Sequence, residues 1–179
     1  MMQINVNNAI IKVEKGDLTA LDIEAIVFYA QPDLKLGAGF GNAISVRGGP
    51  SIQEELNKLG SLSVGEAVIT RAGELKSEFI IHAVGPRFQE PETEEKLCKT
   101  IKSVLNIAEN KGIKRIAFPP MGTGFYGIPI DISASVMIRE ISNHLSGKSN
   151  LSEVLICVMD KREYMAFEKL GNQKKKFEG

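Results

Sequence analysis

Two glycine-rich segments, each preceded by a short apolar run, constrain most strongly how this chain can fold. The first is Gly-Ala-Gly-Phe-Gly at residues 37–41, after the apolar run 24–30, and the second is Met-Gly-Thr-Gly-Phe-Tyr-Gly at 121–127, after the run 115–120. Glycine permits positive backbone angles and lets backbone N–H groups approach a ligand with no Cβ in the way. Two such loops on neighbouring strand ends would hold the two phosphates of a diphosphate. The pair therefore predicts a nucleotide-type pocket.

The bulk composition is that of an ordinary globular protein. The chain has 179 residues, 43% of them hydrophobic and 25% charged, with 22 basic and 22 acidic side chains. This length predicts one domain, which we assign to residues 1–173, followed by a basic C-terminal tail at 174–179. A net charge of zero gives no long-range attraction to nucleic acid or to an anionic membrane, so neither is expected as a partner.

The sequence carries no targeting or metal-binding signal. Its N-terminus lacks a charged-then-apolar pattern and no apolar run approaches ~18 residues, so we expect no membrane segment and a cytoplasmic location. Cys98 and Cys157 have no metal-type spacing to His82 or His144. We therefore expect free thiols, no bound metal and no cofactor. His82 is expected to end a core strand with its ring hydrogen-bonded locally.

The spacing of apolar residues predicts an α/β fold. From about residue 66 onward strands and helices alternate, which is typical of a mixed, largely parallel central sheet with helices on both faces. Asp17 and Asp131 are predicted to cap the helical turns that follow them. The predicted strands are 4–15 (interrupted at residues 7–8), 25–30, 66–71, 78–84, 115–118 and 153–159, and the predicted helices are 43–59 (broken at 48–50), 93–110, 131–145 and 162–170.

One motif in the second glycine-rich segment suggests a different fold. Residues 122–127 read G-x-G-x-x-G, the pattern of a dinucleotide-binding loop, which should open a helix in the first βαβ unit. Here the motif lies late in the chain and leads into Ile-Pro-Ile at 128–130 rather than into a helix. We therefore do not expect a dinucleotide-dependent dehydrogenase.

Four segments, in order and at suitable spacing, resemble the macrodomain family. They are Lys-Gly-Asp-Leu-Thr at 15–19, Asp-Ile-Glu-Ala-Ile-Val at 22–27 with the first glycine loop through Ile44, His-Ala-Val-Gly-Pro at 82–86, and Ile-Ala-Phe-Pro-Pro-Met-Gly-Thr-Gly-Phe-Tyr-Gly-Ile-Pro at 116–129. The resemblance covers residues 9–171. It implies a three-layer α/β/α sandwich whose pocket binds ADP-ribose, either free or attached to protein.

The resemblance also implies roles for individual residues. Asp17 matches the aspartate that accepts a hydrogen bond from the adenine amino group; capping of the next turn is the alternative role, and the two are compatible. Gln31 can still contact a ribose hydroxyl, and Phe125 or Tyr126 would cover the terminal ribose. The ligand-binding residues implied are Asp17, Leu18, Gln31, Gly37, Ala38, Gly39, Phe40, Gly41, Asn42, Pro119, Met121, Gly122, Thr123, Gly124, Phe125 and Tyr126.

The sequence departs from the family pattern where hydrolytic relatives carry catalytic groups. Those relatives typically have Asn-Ala-Ala-Asn where this chain has Phe-Tyr-Ala-Gln at 28–31, and an aspartate where it has Gly41. Another branch uses a lysine one turn further on, where this chain reads Ser-Val-Arg at 45–47. Arginine stays protonated and is a poor nucleophile. The remaining weak catalytic candidates are Gln31, Asp33 and Asp131, of which the two aspartates also suit a turn and a helix cap.

The expected function is ADP-ribose binding with weak or absent hydrolase activity, and the expected partner is ADP-ribose or an ADP-ribosylated protein. One alternative is an enzyme that removes an ADP-ribose adduct: an ADP-ribosyl hydrolase, an O-acyl-ADP-ribose deacylase or an ADP-ribose phosphatase. Another is a non-enzymatic scaffold whose pocket is closed by the rings of Phe28 and Tyr29. The direction in which those rings point, into the cleft or into the core, tests the scaffold alternative.

Overall fold

Strands and α-helices alternate along most of the chain. The computed structural model describes the backbone of residues 1–177 and the side chains of residues 1–174. The strands are β1 (Met2–Val6), β2 (Ala9–Lys15), β3 (Ala25–Ala30), β4 (Ala67–Arg71), β5 (Phe79–Val84), β6 (Arg115–Phe118) and β7 (Glu153–Val158). The helices are α1 (Phe40–Gly48), α2 (Ser51–Leu59), α3 (Thr93–Lys111), α4 (Ile130–Ser146) and α5 (Lys161–Phe177). Within the described residues, none of these helices has the length and apolar character needed to cross a lipid bilayer.

The sheet places five parallel strands between two antiparallel edge strands. Its order is β1-β2-β7-β6-β3-β5-β4. The pairs β2–β7, β7–β6, β6–β3 and β3–β5 are parallel, whereas β1 is antiparallel to β2 and β4 is antiparallel to β5. The carboxyl ends of the five parallel strands therefore lie along one edge of the sheet. The predicted class, α/β with a mixed and largely parallel sheet, is confirmed.

Helices cover both faces of the sheet and make three layers. Side chains from α3, α4 and α5 pack on one face with Val27 and Tyr29 of β3, whereas α1 and α2 pack on the other face with Ile26 and Phe28. Successive residues of β3 thus enter two different cores. A strand buried on both faces needs apolar residues throughout, which explains the uninterrupted run at 25–30.

At three helix ends the difference from the prediction exceeds one residue or changes a predicted cap. α1 begins at Phe40 rather than at residue 43, because Gly39, with φ of 62°, serves as its N-cap without a side-chain hydrogen bond. α4 begins at Ile130 after the N-cap Pro129, so Asp131 lies inside the first turn and does not cap the helix. α5 extends beyond the predicted end at 170 and into the predicted basic tail. Residues 178–179 of that tail lie outside the described residues.

Candidate functional site

Two adjacent parallel strands lead to opposite faces of the sheet, and we call the region between the segments that follow them the crevice. β3 and β6 are neighbours. The chain leaving β3 enters α1 on one face, and the chain leaving β6 enters α4 on the other. In open α/β sheets, ligands bind in crevices of this kind outside the carboxyl ends of the strands. Both glycine-rich loops lie here, since the first leads into α1 and the second into α4.

The first glycine loop is tied down as far as Leu36 and exposed beyond it. Leu34 has a positive φ of 58° although its side chain is only 1% exposed, and the side chain of Leu36 is also buried. Gln53 of α2 accepts a hydrogen bond from the Leu36 N–H (2.9 Å) and donates one to the Leu34 carbonyl (3.2 Å). Gly37 and Gly39 follow with positive φ and are exposed. The first amides of α1, which have no acceptor within the helix, follow this exposed stretch, and their partial positive charge favours an anion beside it.

Gly41 lies directly against the backbone of the first loop. A Cβ built on Gly41 would lie 1.7 Å from the carbonyl oxygen of Leu36 and 2.5 Å from its carbonyl carbon. Backbone atoms cannot move aside as a flexible side chain would. In this loop, the position that matches the aspartate of hydrolytic relatives is closed to any side chain.

The second glycine loop is attached to the end of β3. Residues Gly124–Tyr126 form one 3₁₀ turn, and the Tyr126 hydroxyl donates to the carbonyl of Ala30 at 3.3 Å. The rings of Tyr126 and Tyr29 pack with centroids 4.7 Å apart. Phe125 is 82% exposed, and the Arg87 guanidinium lies 5.4 Å from the centre of its ring. The second loop therefore lies against the end of β3, the strand that precedes the first loop, and carries an exposed aromatic ring.

The remaining predicted binding residues differ in how far they are exposed. The Thr123 hydroxyl donates to the Pro120 carbonyl at 3.2 Å and so stays within its own loop. Leu18, Met121 and Gly122 are buried, Phe40, Pro119 and Thr123 are partly buried, and Ala38, Asn42 and Gly124 are exposed.

The rings of Phe28 and Tyr29 lie in the two cores and do not fill the crevice. Phe28 packs against Phe40 of α1, with centroids 5.7 Å apart, inside the core on that face. Tyr29 points to the opposite face, where its hydroxyl donates to the carbonyl of Pro86. Burial raises the pKa of the Tyr29 hydroxyl well above its usual value, so it stays protonated as a donor. The large side chains that distinguish residues 28–31 from the family pattern therefore fill the two cores.

Asp17 both caps a turn and forms an ion pair. It is the N-cap of the 3₁₀ turn Leu18–Ala20, and its Oδ1 accepts from the Thr19 N–H (3.0 Å) and hydroxyl (2.7 Å). Its Oδ2 accepts from Nη1 of Arg47, which also donates to the Thr19 hydroxyl. The Arg47 hydrogen bond, followed by the one from Thr19, lowers the pKa of the Asp17 carboxyl, so the carboxyl is ionised at neutral pH. The predicted cap is confirmed.

The Asp17–Arg47 pair connects the segment after β2 with the last turn of α1. The helix itself begins at the first glycine loop. Arg47 lies seven positions after Phe40, which corresponds to a rise of about 10 Å along the helix axis. Asp17 is therefore paired with the C-terminal end of the helix whose N-terminal end follows the first glycine loop.

The three weak catalytic candidates form no acid–base pair with one another. Asp33 Oδ1 accepts from the Lys35 N–H at 3.0 Å, as expected of a turn residue. Asp131 is exposed in the first turn of α4. Nε2 of Gln31 lies 2.9 Å from where a Cβ of Gly37 would be, so Gln31 lines the first loop. Within the described residues, no three His, Cys, Asp or Glu side chains cluster as a metal site would require.

His82 is a buried structural residue of β5. The Thr70 hydroxyl donates to the Arg71 carbonyl (2.9 Å), so it must accept from Nε2–H of His82 (2.9 Å). Nδ1 is then the unprotonated nitrogen, and it is buried without a hydrogen-bond partner among the described residues. Burial lowers the pKa of His82 to about 3, so the ring is neutral.

Arg47 and Gln53 are site residues that sequence reasoning missed. Each acts on a residue 17 or more positions away, Gln53 on Leu36 and Arg47 on Asp17. Helical periodicity places both residues on predicted helices, but it carries no information on their partners. The spacing of Asp17 and Thr19 gave a local signal for the cap, and no comparable signal exists for the arginine.

Comparison with known proteins agrees with this architecture. A family model described as "Macro domain" matches residues 29–137. A macro domain-containing protein of Caldanaerobacter subterraneus is 38% identical over 165 residues, covering 89% of this chain and 94% of the relative. A protein of Pantoea vagans named O-acetyl-ADP-ribose deacetylase 1 is 35% identical over 168 residues, covering 90% and 98%.

Solved structures extend the likeness to three dimensions. The Oceanobacillus iheyensis macrodomain with ADP superposes with a TM-score of 0.92 at 29% identity, covering 98% of this chain and 97% of that one. The Trypanosoma brucei macrodomain in complex with ADP-ribose superposes with a TM-score of 0.84 at 27% identity, covering 89% of this chain and 68% of that one.

Proposed function

Because the chain belongs to the macrodomain family, we propose that it binds ADP-ribose or a close derivative in the crevice between the two glycine loops, with weak or absent hydrolase activity. The observation that carries the proposal is the attachment of the second loop to the end of β3. There the Tyr126 hydroxyl donates to the carbonyl of Ala30, the last residue of the strand that leads to the first loop. Related macrodomains have been solved with ADP and with ADP-ribose.

The chemistry of the crevice suits an adenosine diphosphate group. Free amides at the start of α1 and on the second loop offer donors to a diphosphate without a metal ion. Asp17, ionised and half-exposed, offers an acceptor to the adenine amino group. On this proposal Gln31 contacts the terminal ribose, and Tyr126 and Phe125 cover it.

The absence of a carboxylate at Gly41 supports weak or absent catalysis. A positioned general base contributes about 10²–10⁴-fold to a rate. The Leu36 carbonyl excludes any side chain at residue 41, Asp33 is engaged in a turn, and Asp131 lies on α4. On this proposal the protein binds free ADP-ribose or recognises ADP-ribosylated proteins. We propose that it does so in the cytoplasm.

Calorimetric titration with ADP-ribose tests the proposal. The parent protein should release heat with one-site binding, and Asp17→Ala should weaken binding by about tenfold or more, since a hydrogen bond to a charged group contributes about 1.5–3 kcal/mol. Asp22→Ala is the matched control, because it removes an exposed carboxylate from the same loop region and should bind as the parent does. Absence of binding by the parent protein would reject the proposal.

A deacylase is the second candidate function. It is favoured by the relative named O-acetyl-ADP-ribose deacetylase 1, which aligns with 90% of this chain. Gln31, Asp33 or Asp131 with bound water would then replace the missing carboxylate. Turnover of O-acetyl-ADP-ribose above buffer background, lost on Gln31→Ala or Asp33→Ala, would favour this function over binding alone.

A further inference from the structure

The pair of Asp17 and Arg47 has hydrogen-bonding capacity left over. Arg47 uses Nη1 for both of its hydrogen bonds, to Asp17 and to Thr19, while its Nε and Nη2 donate to no other described residue. Among the described residues, Asp17 Oδ2 accepts only from Arg47. The two side chains are 49% and 48% exposed, so these free positions are accessible. The end of β2 therefore presents an acceptor and a donor side by side.

An acceptor beside a donor complements more than one purine. Adenine carries a donor at its 6-amino group and an acceptor at N1, whereas a 6-oxopurine carries an acceptor at O6 and a donor at N1. A lone carboxylate matches the adenine amino group but repels O6. With the arginine beside it, the carboxylate can accept from N1–H while the guanidinium donates to O6.

We infer that Arg47 is a specificity-determining residue of the purine subsite, and that with Asp17 it admits 6-oxopurine diphosphates as well as adenine diphosphates. This inference rests on the proposed function, because it needs the base to lie at Asp17. The fixed geometry of the pair supports it: Thr19 holds Oδ1 through two hydrogen bonds and also accepts from Arg47, so acceptor and donor are oriented before a ligand arrives.

The test compares ADP with IDP, which differ only at position 6 and N1 of the base. Calorimetry with the parent protein should give dissociation constants within about tenfold of each other. Arg47→Met keeps an unbranched apolar stem but removes the guanidinium and its donors, so the preference for ADP over IDP should grow by about tenfold. The ratio is the decisive quantity, because loss of the positive charge weakens attraction to the diphosphate equally in both ligands.

Two further variants separate charge from hydrogen bonding. Arg47→Lys retains the charge but not the planar fork of donors, so the ratio should shift less than in Arg47→Met. Lys58→Met removes an exposed cation from α2, away from Asp17, and should leave the ratio at the parent value. Melting temperatures of all variants establish that each is folded.

Three results would overturn the inference. An unchanged ratio in Arg47→Met, even with weaker binding of both ligands, would mean that Arg47 serves the phosphates or the fold and not the base. Rejection of IDP by the parent at concentrations that saturate with ADP would contradict the inference directly. Failure of the parent to bind ADP and ADP-ribose would remove the proposed function, and this inference with it.

Discussion

At the scale of single residues, the glycines of the crevice serve two different purposes. Gly41 and Gly122 are close-contact glycines: a Cβ on Gly122 would lie 2.4 Å from Cδ1 of Ile128, and one on Gly41 would overlap backbone. Gly39 and Gly124 have no atom of the described residues within 4 Å of a Cβ but adopt positive φ. The close-contact glycines allow neighbouring segments to pack without a Cβ between them. The other two allow backbone conformations that residues with a side chain rarely adopt.

Substitution at Gly41 should destabilise the protein without creating activity. Gly41→Ala forces the Leu36 carbonyl to move, and we expect a loss of about 1–3 kcal/mol in the free energy of unfolding, as for other overpacked sites. Gly147→Ala is the control, since its nearest contact to a Cβ is an ordinary 3.6 Å. Urea unfolding measures both. A Gly41→Ala protein as stable as the parent would show that the loop relaxes freely, and Gly41→Asp would then deserve an assay for hydrolysis.

Residue roles were predictable where the signal is local. The cap at Asp17 acts two positions along the chain, within reach of a sequence pattern. Its ion pair with Arg47 spans 30 positions and depends on how α1 packs against the sheet. The prediction that Asp131 caps α4 was wrong. Its residue type suits a cap, but Pro129 precedes the helix and occupies the N-cap position.

At the scale of elements, the shape of the first glycine loop is imposed by α2. The two hydrogen bonds from Gln53 hold the Leu34–Leu36 backbone, and a third, from Nε2 to Oδ1 of Asn57 at 2.9 Å, orients the amide. Only then does the chain turn through Gly37 into α1. The boundaries of β3 were predicted correctly because burial on both faces leaves a continuous apolar run, whereas the start of α1 depends on a glycine cap with no side-chain signature.

Removal of the Gln53 amide should loosen the loop and weaken ligand binding. Gln53→Met leaves the Leu36 N–H without its acceptor, which costs about 1–3 kcal/mol for a buried donor. We expect a lower melting temperature together with weaker binding of ADP-ribose, because the loop amides are no longer held in place. Asn57→Ala removes only the orienting hydrogen bond and should have a small effect on both measurements. If Gln53→Met lowers stability but binds ADP-ribose as tightly as the parent, then α2 does not position the loop.

At the scale of the whole molecule, the crevice is a product of strand order. The glycine loops lie 80 residues apart in sequence, but they follow β3 and β6, which are neighbours whose connections cross to opposite faces. Periodicity predicts the strands but not which strands pair, since pairing is a long-range property. The prediction of a shared pocket assumed that the two strand ends are neighbours, which the glycine-rich segments alone do not establish, and the strand order shows that β3 and β6 are adjacent.

Acid stability of the whole domain should depend on His82. Its folded pKa is about 3, below the ordinary value of 6.5, so under about pH 6.5 the unfolded chain binds a proton that the folded chain excludes. As the pH is lowered from about 6.5, the free energy of unfolding should therefore fall by up to about 1.4 kcal/mol per pH unit. His82→Gln keeps a donor for Thr70 but does not titrate, so urea unfolding between pH 6.5 and 5 should show a flatter profile. Comparison with the parent cancels the contribution of the other titrating groups, so equal slopes would mean that a proton reaches Nδ1 in the folded core.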